Sequence, residues 1–153
     1  MDRNFLIIGY GNQLRGDDAA GVVAAQQIEE QNWHKTQVIV QQQLTPELAE
    51  LVSQAGSVVF LDASASIDST ITSVQILEPQ LSESFPAHSA DPRSIVTLAQ
   101  VLYHRAPKAW FITIPSVCFD FGVPLSEMTR LGIDAAINET RRLWQIFCTQ
   151  FGG

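Results

Sequence analysis

The sequence predicts an α/β protein of three layers: a mostly parallel, five-stranded twisted sheet with helices on both faces. Two observations carry this. Asn4 to Tyr10, Ser57 to Ala63 and Ala109 to Pro115 are apolar runs without alternation, the mark of strands covered on both faces. Between such runs stand segments with helical spacing and helix-start residues, giving the order β-α-β-α-β-β-α-β-α. Alternation of this kind yields a mainly parallel sheet, and a site beyond the carboxyl ends of its strands where the strand order reverses. The 153 residues hold no repeat, low-complexity stretch or linker, so 1–153 reads as one domain.

The first strand runs into Gly9-Tyr10-Gly11-Asn12-Gln13-Leu14-Arg15-Gly16-Asp17-Asp18, a glycine-rich turn that delivers two adjacent acids. Asp17 or Asp18 starts a helix to Glu30, with Val22, Ala25, Ile28 and Glu29 at helical spacing. Gln37 to Gln41 is the second strand. Thr45 as cap and Pro46 at the first helical position open a helix with Leu48, Leu51 and Val52 on one face, stopped by Gly56. The third strand carries Asp62 near its carboxyl end. Thr70 to Leu77 is mixed in polarity and reads as an edge strand; Glu78 to Ala90, with Pro79 and Pro86, reads as a loop. Asp91 caps and Pro92 opens a helix whose stripe is Ile95, Leu98, Ala99 and Leu102, ended by Pro107. After the last strand and the loop Ser116 to Pro124, a long helix runs from about Ser126 to Phe147, with Met128, Leu131, Ala135, Leu143 and Ile146 as its stripe.

Composition removes several function classes. Sixteen acids against nine bases give a formal charge of −7, without the clustered Lys and Arg that nucleic acid requires. No uncharged apolar stretch is long enough to span a membrane, and the N-terminus lacks a signal-peptide core. Cys118 and Cys148 lie far apart with no CxxC, so a reduced, cytoplasmic protein with both as packing residues is expected. No apolar stripe stands out as exposed, which favours a monomer. His34 and His104 read as surface residues at helix ends.

Gly9-x-Gly11 invites a dinucleotide reading, but the third small residue would be needed where Leu14 stands. Asp17 and Asp18 would repel a pyrophosphate, and Val40-Gln41-Gln42 offers no acid to a ribose. The acids admit another use. The first and third strands are commonly neighbours at the switch point, so Asp17 or Asp18 and Asp62 meet at one crevice. His88 precedes a helix whose N-terminus faces the same end of the sheet. Two carboxylates and an imidazole bind a borderline divalent metal while leaving positions open for a substrate's ligands. The plainer alternatives are Asp17 as a helix cap and His88 as a solvated loop residue; for Asp62 an unpaired buried charge is expensive and points to function. Phe119 and Phe121, in the loop Ser116 to Gly122, either grip a partner peptide or pack beneath their own loop.

These stretches resemble the hydrogenase maturation proteases, which process the large subunit of [NiFe] hydrogenases. Gly9, Gly11, Asn12, Leu14, Asp17, Asp18 and Gly21 are similar to the family's GxGNxLxxD(D/E)xxG motif. Val58-Val59-Phe60-Leu61-Asp62-Ala63 resembles its second motif, and His88 with Asp91-Pro92 and the following helix its third. The resemblance implies a five-stranded twisted sheet between helices, and an acid, an Asp and a His that engage nickel: Asp18, Asp62 and His88. Asp18 stands where some relatives carry Glu, and Ala19 where Gly is frequent; Asp17 is a second candidate for the acid. The resemblance also implies the reaction, removal of a short C-terminal extension from the large-subunit precursor after nickel insertion. The nickel is carried by the substrate and is not a resident cofactor. A non-catalytic nickel- or large-subunit-binding chaperone, or a nucleotide-binding module, are the competing expectations.

Overall fold

The computed structural model describes residues 2–66, 68–81 and 91–151. In chain order its elements are β1 (Phe5–Tyr10), a 3-10 turn (Gly16–Ala19), α1 (Ala20–Glu30), β2 (Thr36–Gln41), α2 (Leu48–Gln54), β3 (Ser57–Ala63), β4 (Ser73–Leu77), α3 (Pro92–Tyr103), β5 (Lys108–Ile114) and α4 (Glu127–Gln150). The strands form one sheet in the order β2-β1-β3-β5-β4, with β4 the antiparallel edge. The predicted α/β class, the mostly parallel sheet and the edge assignment of β4 all hold.

Strand alternation divides the apolar side chains between two cores. Phe5, Ile7, Val59, Leu61, Ile112 and Ile114 face α1 and α4 on one side. Leu6, Ile8, Val58, Phe60 and Ala109 face α2 and α3 on the other. The central strands are therefore apolar at successive residues because both faces are covered. α1 leads from β1 outward to β2, and α2 returns across the opposite face to β3. The switch point falls between β1 and β3, whose carboxyl ends carry Tyr10 and Asp62.

Four boundary or face assignments differ from the sequence reading. The first helix is preceded by a 3-10 turn, and neither Asp17 nor Asp18 caps α1; its N-cap is Ala19, without a side-chain bond. Thr45 to Glu47 form a turn, bonded from Leu48 N to Thr45 O at 3.1 Å, and α2 starts only at Leu48. On α3, Asp91 caps as expected, accepting from Ser94 N at 2.8 Å, but Val96 is buried and Leu102 exposed. On α4 the buried face is Thr129, Gly132, Ile133, Ala136, Ile137, Thr140, Leu143 and Phe147, while Met128, Leu131, Ala135 and Ile146 face outward. Threonine can be buried there because its hydroxyl is spent locally: Thr129 donates to Pro115 O and Thr140 to Ala136 O. Gly132 lets α4 press onto Pro115, whose Cδ would lie 2.7 Å from an added Cβ.

Candidate active site

Three glycines build the site. Gly11 has φ +145°, and a Cβ there would fall onto the Asp18 carbonyl oxygen. The turn thereby folds back until Asn12 N donates to Asp18 Oδ2 at 2.9 Å, while Asn12 Oδ1 accepts from Leu14 N at 2.9 Å. Gly9 and Gly21 let α1 lie directly on the sheet: a Cβ on Gly9 would sit 2.6 Å from Ala25 Cβ, and one on Gly21 would sit 2.9 Å from Asp62 Cα. The close helix–strand approach is thus made at Gly21. Leu14, which the sequence argument placed at that contact, points into solvent.

Asp62 receives Ala63 N on Oδ1 at 2.8 Å and a side-chain hydrogen bond from the Tyr10 hydroxyl across the β1–β3 pair. Burial pushes its carboxyl up to about 7; the Tyr10 and Ala63 bonds draw it down, and the charge of Asp18 adds to the rise. Burial also raises the Tyr10 hydroxyl, and the charge of Asp62, its hydrogen bond and the charge of Asp91 push the same way. Asp18, Asp62 and the capping residue of α3 thus act at one end of the sheet. Among the described residues no basic group contributes to either shift. Such a group of acids favours an incoming cation or holds a proton in its place.

Of the two acids the switch-point argument left open, Asp18 is the one whose charge acts on Asp62. His88 lies outside the described residues. Among the described residues no three or more His, Cys, Asp or Glu side chains converge to hold a metal. Tyr10 is the site residue that sequence reasoning missed. Its signal was positional: it ends a buried strand beside the one that ends in Asp62.

Asp17 takes a different role from its neighbour. It is 1% exposed. Its Oδ2 accepts from Val117 N at 2.8 Å, Cys118 N at 3.2 Å and Ser126 Oγ at 2.9 Å, and its Oδ1 from Ser126 N at 2.8 Å. Burial by itself raises such a carboxyl, but these bonds outweigh it and hold Asp17 below the usual range. Asp17 ties the turn to the loop after β5 and to the start of α4. Asp17→Ala leaves buried donors unpaired and is expected to cost about 3 kcal/mol. Because the folded value is depressed, this stabilisation is present above about pH 4 and fades as pH falls through the folded value. Urea unfolding at pH 7 and below pH 3 checks both parts: the deficit of the variant shrinks in acid.

Phe119 and Phe121 part company. Phe119 packs on the core shared by α1 and α4, as the packing alternative has it, whereas Phe121 is 70% exposed. Cys118 and Cys148 are both free thiols, partly buried.

No protein-family model matches the sequence, and no curated protein matches it. Solved structures do. The hydrogenase-maturating endopeptidase HybD from E. coli shares 18% identity over 89% of this chain and 88% of its own, with a TM-score of 0.66. A hydrogenase 2 maturation peptidase from a Thaumarchaeota archaeon shares 16% over 93% and 98%, with a TM-score of 0.68. The [NiFe] hydrogenase maturation protease HybD from Thermococcus kodakarensis shares 23% over 92% and 98%, with a TM-score of 0.63. The chain has the fold of these maturation endopeptidases over nearly its whole length.

Proposed function

We propose that the protein is an endopeptidase that removes a C-terminal extension from the large-subunit precursor of a [NiFe] hydrogenase once nickel has been inserted. The observation that carries this reading is the pairing of Asp18 and Asp62 at the switch point of a fold shared with hydrogenase maturation endopeptidases. In this reading nickel arrives as part of the substrate. Asp18, Asp62 and His88 complete its coordination, replacing the proton that burial holds on Asp62 near neutral pH. The metal supplies Lewis-acid polarisation of the scissile carbonyl or of a water. A carboxyl poised near 7 also suits a general base that takes the proton of that water. Tyr10 keeps Asp62 oriented by its hydrogen bond. The two free thiols accord with a reducing cytoplasm as the place of the reaction.

The test is direct. The purified protein is incubated with nickel-loaded and nickel-free precursor, and the released C-terminal peptide is sought by mass spectrometry. Release from the loaded form alone supports the reading. A stable complex with no peptide released from either form replaces it with a binding chaperone.

A further inference from the structure

The turn that carries Asp18 is flanked by two depressions. One, of about 360 Å³, lies between the turn, Val22 of α1 and the end of β2 at Val40 and Gln41. The other, of about 480 Å³, lies between the turn and the segment Phe121 to Pro124. Leu14 lines both. Leu14 and Phe121 are 71% and 70% exposed. The backbone beneath them is nonetheless fixed. Gly122 N donates to Leu14 O at 2.9 Å, Asp17 N to Cys118 O at 2.9 Å, and Arg15 Nε to Phe119 O at 3.1 Å. The Arg15 guanidinium lies over the Phe121 ring at 5.3 Å. Large apolar side chains presented on a hydrogen-bonded frame have little backbone freedom left to lose on binding.

The chemistry of the depressions narrows the occupant. Among the described residues no Lys, Arg, Asp or Glu lines either one, in a chain of net charge −7. Arg15, over the Phe121 ring, is a cation beside the second depression, but a phosphate needs clustered cations and a metal needs carboxylates, and neither lines the depressions among the described residues. Gln41 supplies a polar demand instead. Its Oε1 is the buried side-chain atom left without a hydrogen-bond partner among the described residues. Gln41 lines the first depression, where an N–H of an occupant would give that oxygen a partner. β2 is also an edge of the sheet, so its outer row of main-chain groups has no strand partner among the described residues.

We propose that the two depressions form a subsite for an extended, uncharged apolar segment of the partner polypeptide. Leu14 and Phe121 grip its side chains, and Gln41 accepts from one of its main-chain N–H groups. The proposal rests on the peptidase reading for the reason a peptide comes to Asp18, but its test requires no cleavage. Labelled peptides alternating Leu with Ser are titrated by fluorescence anisotropy, beside a control set alternating Glu with Ser. The Leu-Ser peptides are expected to bind saturably and the control peptides not. Leu14→Ser and Phe121→Ser each weaken binding about tenfold, and Gln41→Leu about fivefold. Thermal unfolding of Leu14→Ser and Phe121→Ser stays at the wild-type midpoint, because both side chains are already exposed. Absence of saturable binding up to about 1 mM overturns the proposal, as does equal binding of the control set or indifference to the Leu14 and Phe121 substitutions. Peptide binding without precursor cleavage sinks the peptidase reading alone; precursor cleavage without peptide binding sinks the subsite alone.

Discussion

Asp62→Asn is expected, on the proposed peptidase reading, to lower processing of a nickel-loaded precursor by at least about 100-fold, because a carboxylate that contacts the substrate's metal would be worth several kcal/mol in the transition state. The same substitution is expected to make the free protein more stable at pH 8. Burial holds the Asp62 carboxyl at about 7 in the folded chain, whereas an unfolded Asp titrates near 4. Between those values the folded state binds the proton more tightly, so stability falls as pH rises through the window. The benefit of the neutral carboxyl is complete below about pH 4 and lost above about pH 7. Asparagine stays neutral, and its amide oxygen can still accept from Ala63 N. It should therefore gain about 2–4 kcal/mol over wild type at pH 8 and nothing below pH 4, read by urea unfolding at the two pH values. Loss of activity together with a gain in stability cannot come from unfolding. A variant less stable than wild type at pH 8 would mean that Asp62 meets a positive charge in the fold, and the crevice would no longer be one that waits for a cation. Asp18→Asn should lose activity to a similar degree, with its turn kept, since the amide oxygen can still accept from Asn12 N.

Sequence reading reached what depends on local pattern. Strands buried on both faces declare themselves by unbroken apolar runs, as in β1, β3 and β5. The mixed polarity of β4 marks an edge. From these and the intervening helices the switch point follows, and with it the meeting of Asp17 or Asp18 with Asp62. What depends on partners distant in sequence was not legible. Asp17 looks like a helix cap because it sits at a helix start; its actual donors lie 100 and more residues later. The burial of Thr129 and Thr140 on α4 depends on hydroxyl partners that no hydrophobic stripe reveals, so the larger apolar residues drew the stripe onto the wrong face. The dinucleotide motif's spacing put the close helix–strand contact at Leu14, where a small residue would be needed, yet the glycine that makes the contact is Gly21, seven residues on. Motif spacing located the turn but not which of its residues faces the sheet.

Gly21→Ala tests that contact and should be among the most destabilising substitutions in the chain. In a helix, replacing glycine by alanine ordinarily stabilises by about 1 kcal/mol, through backbone entropy. Here the sign should reverse. The added methyl would fall onto the Leu61 carbonyl oxygen, 2.7 Å from Leu61 C and 2.9 Å from Asp62 Cα. Those are backbone atoms of β3, held between β1 and β5 by hydrogen bonds on both sides, so no side chain can rotate away to make room. α1 must lift from the sheet instead, opening the Gly9 contact and drawing Asp18 from Asp62. A loss of about 3–5 kcal/mol in urea unfolding is expected. Gly122→Ala provides the contrast. Gly122 has φ +76° but nothing within 4 Å of an added Cβ, so only backbone strain of about 1–2 kcal/mol applies. If Gly21→Ala proved the milder of the two, α1 would not rest on β3 as closely as this geometry requires, and the pairing of the two carboxylates would lose its structural support. If it proves the more severe, the small residue in the first turn of α1 is what sets the separation of the site's acids.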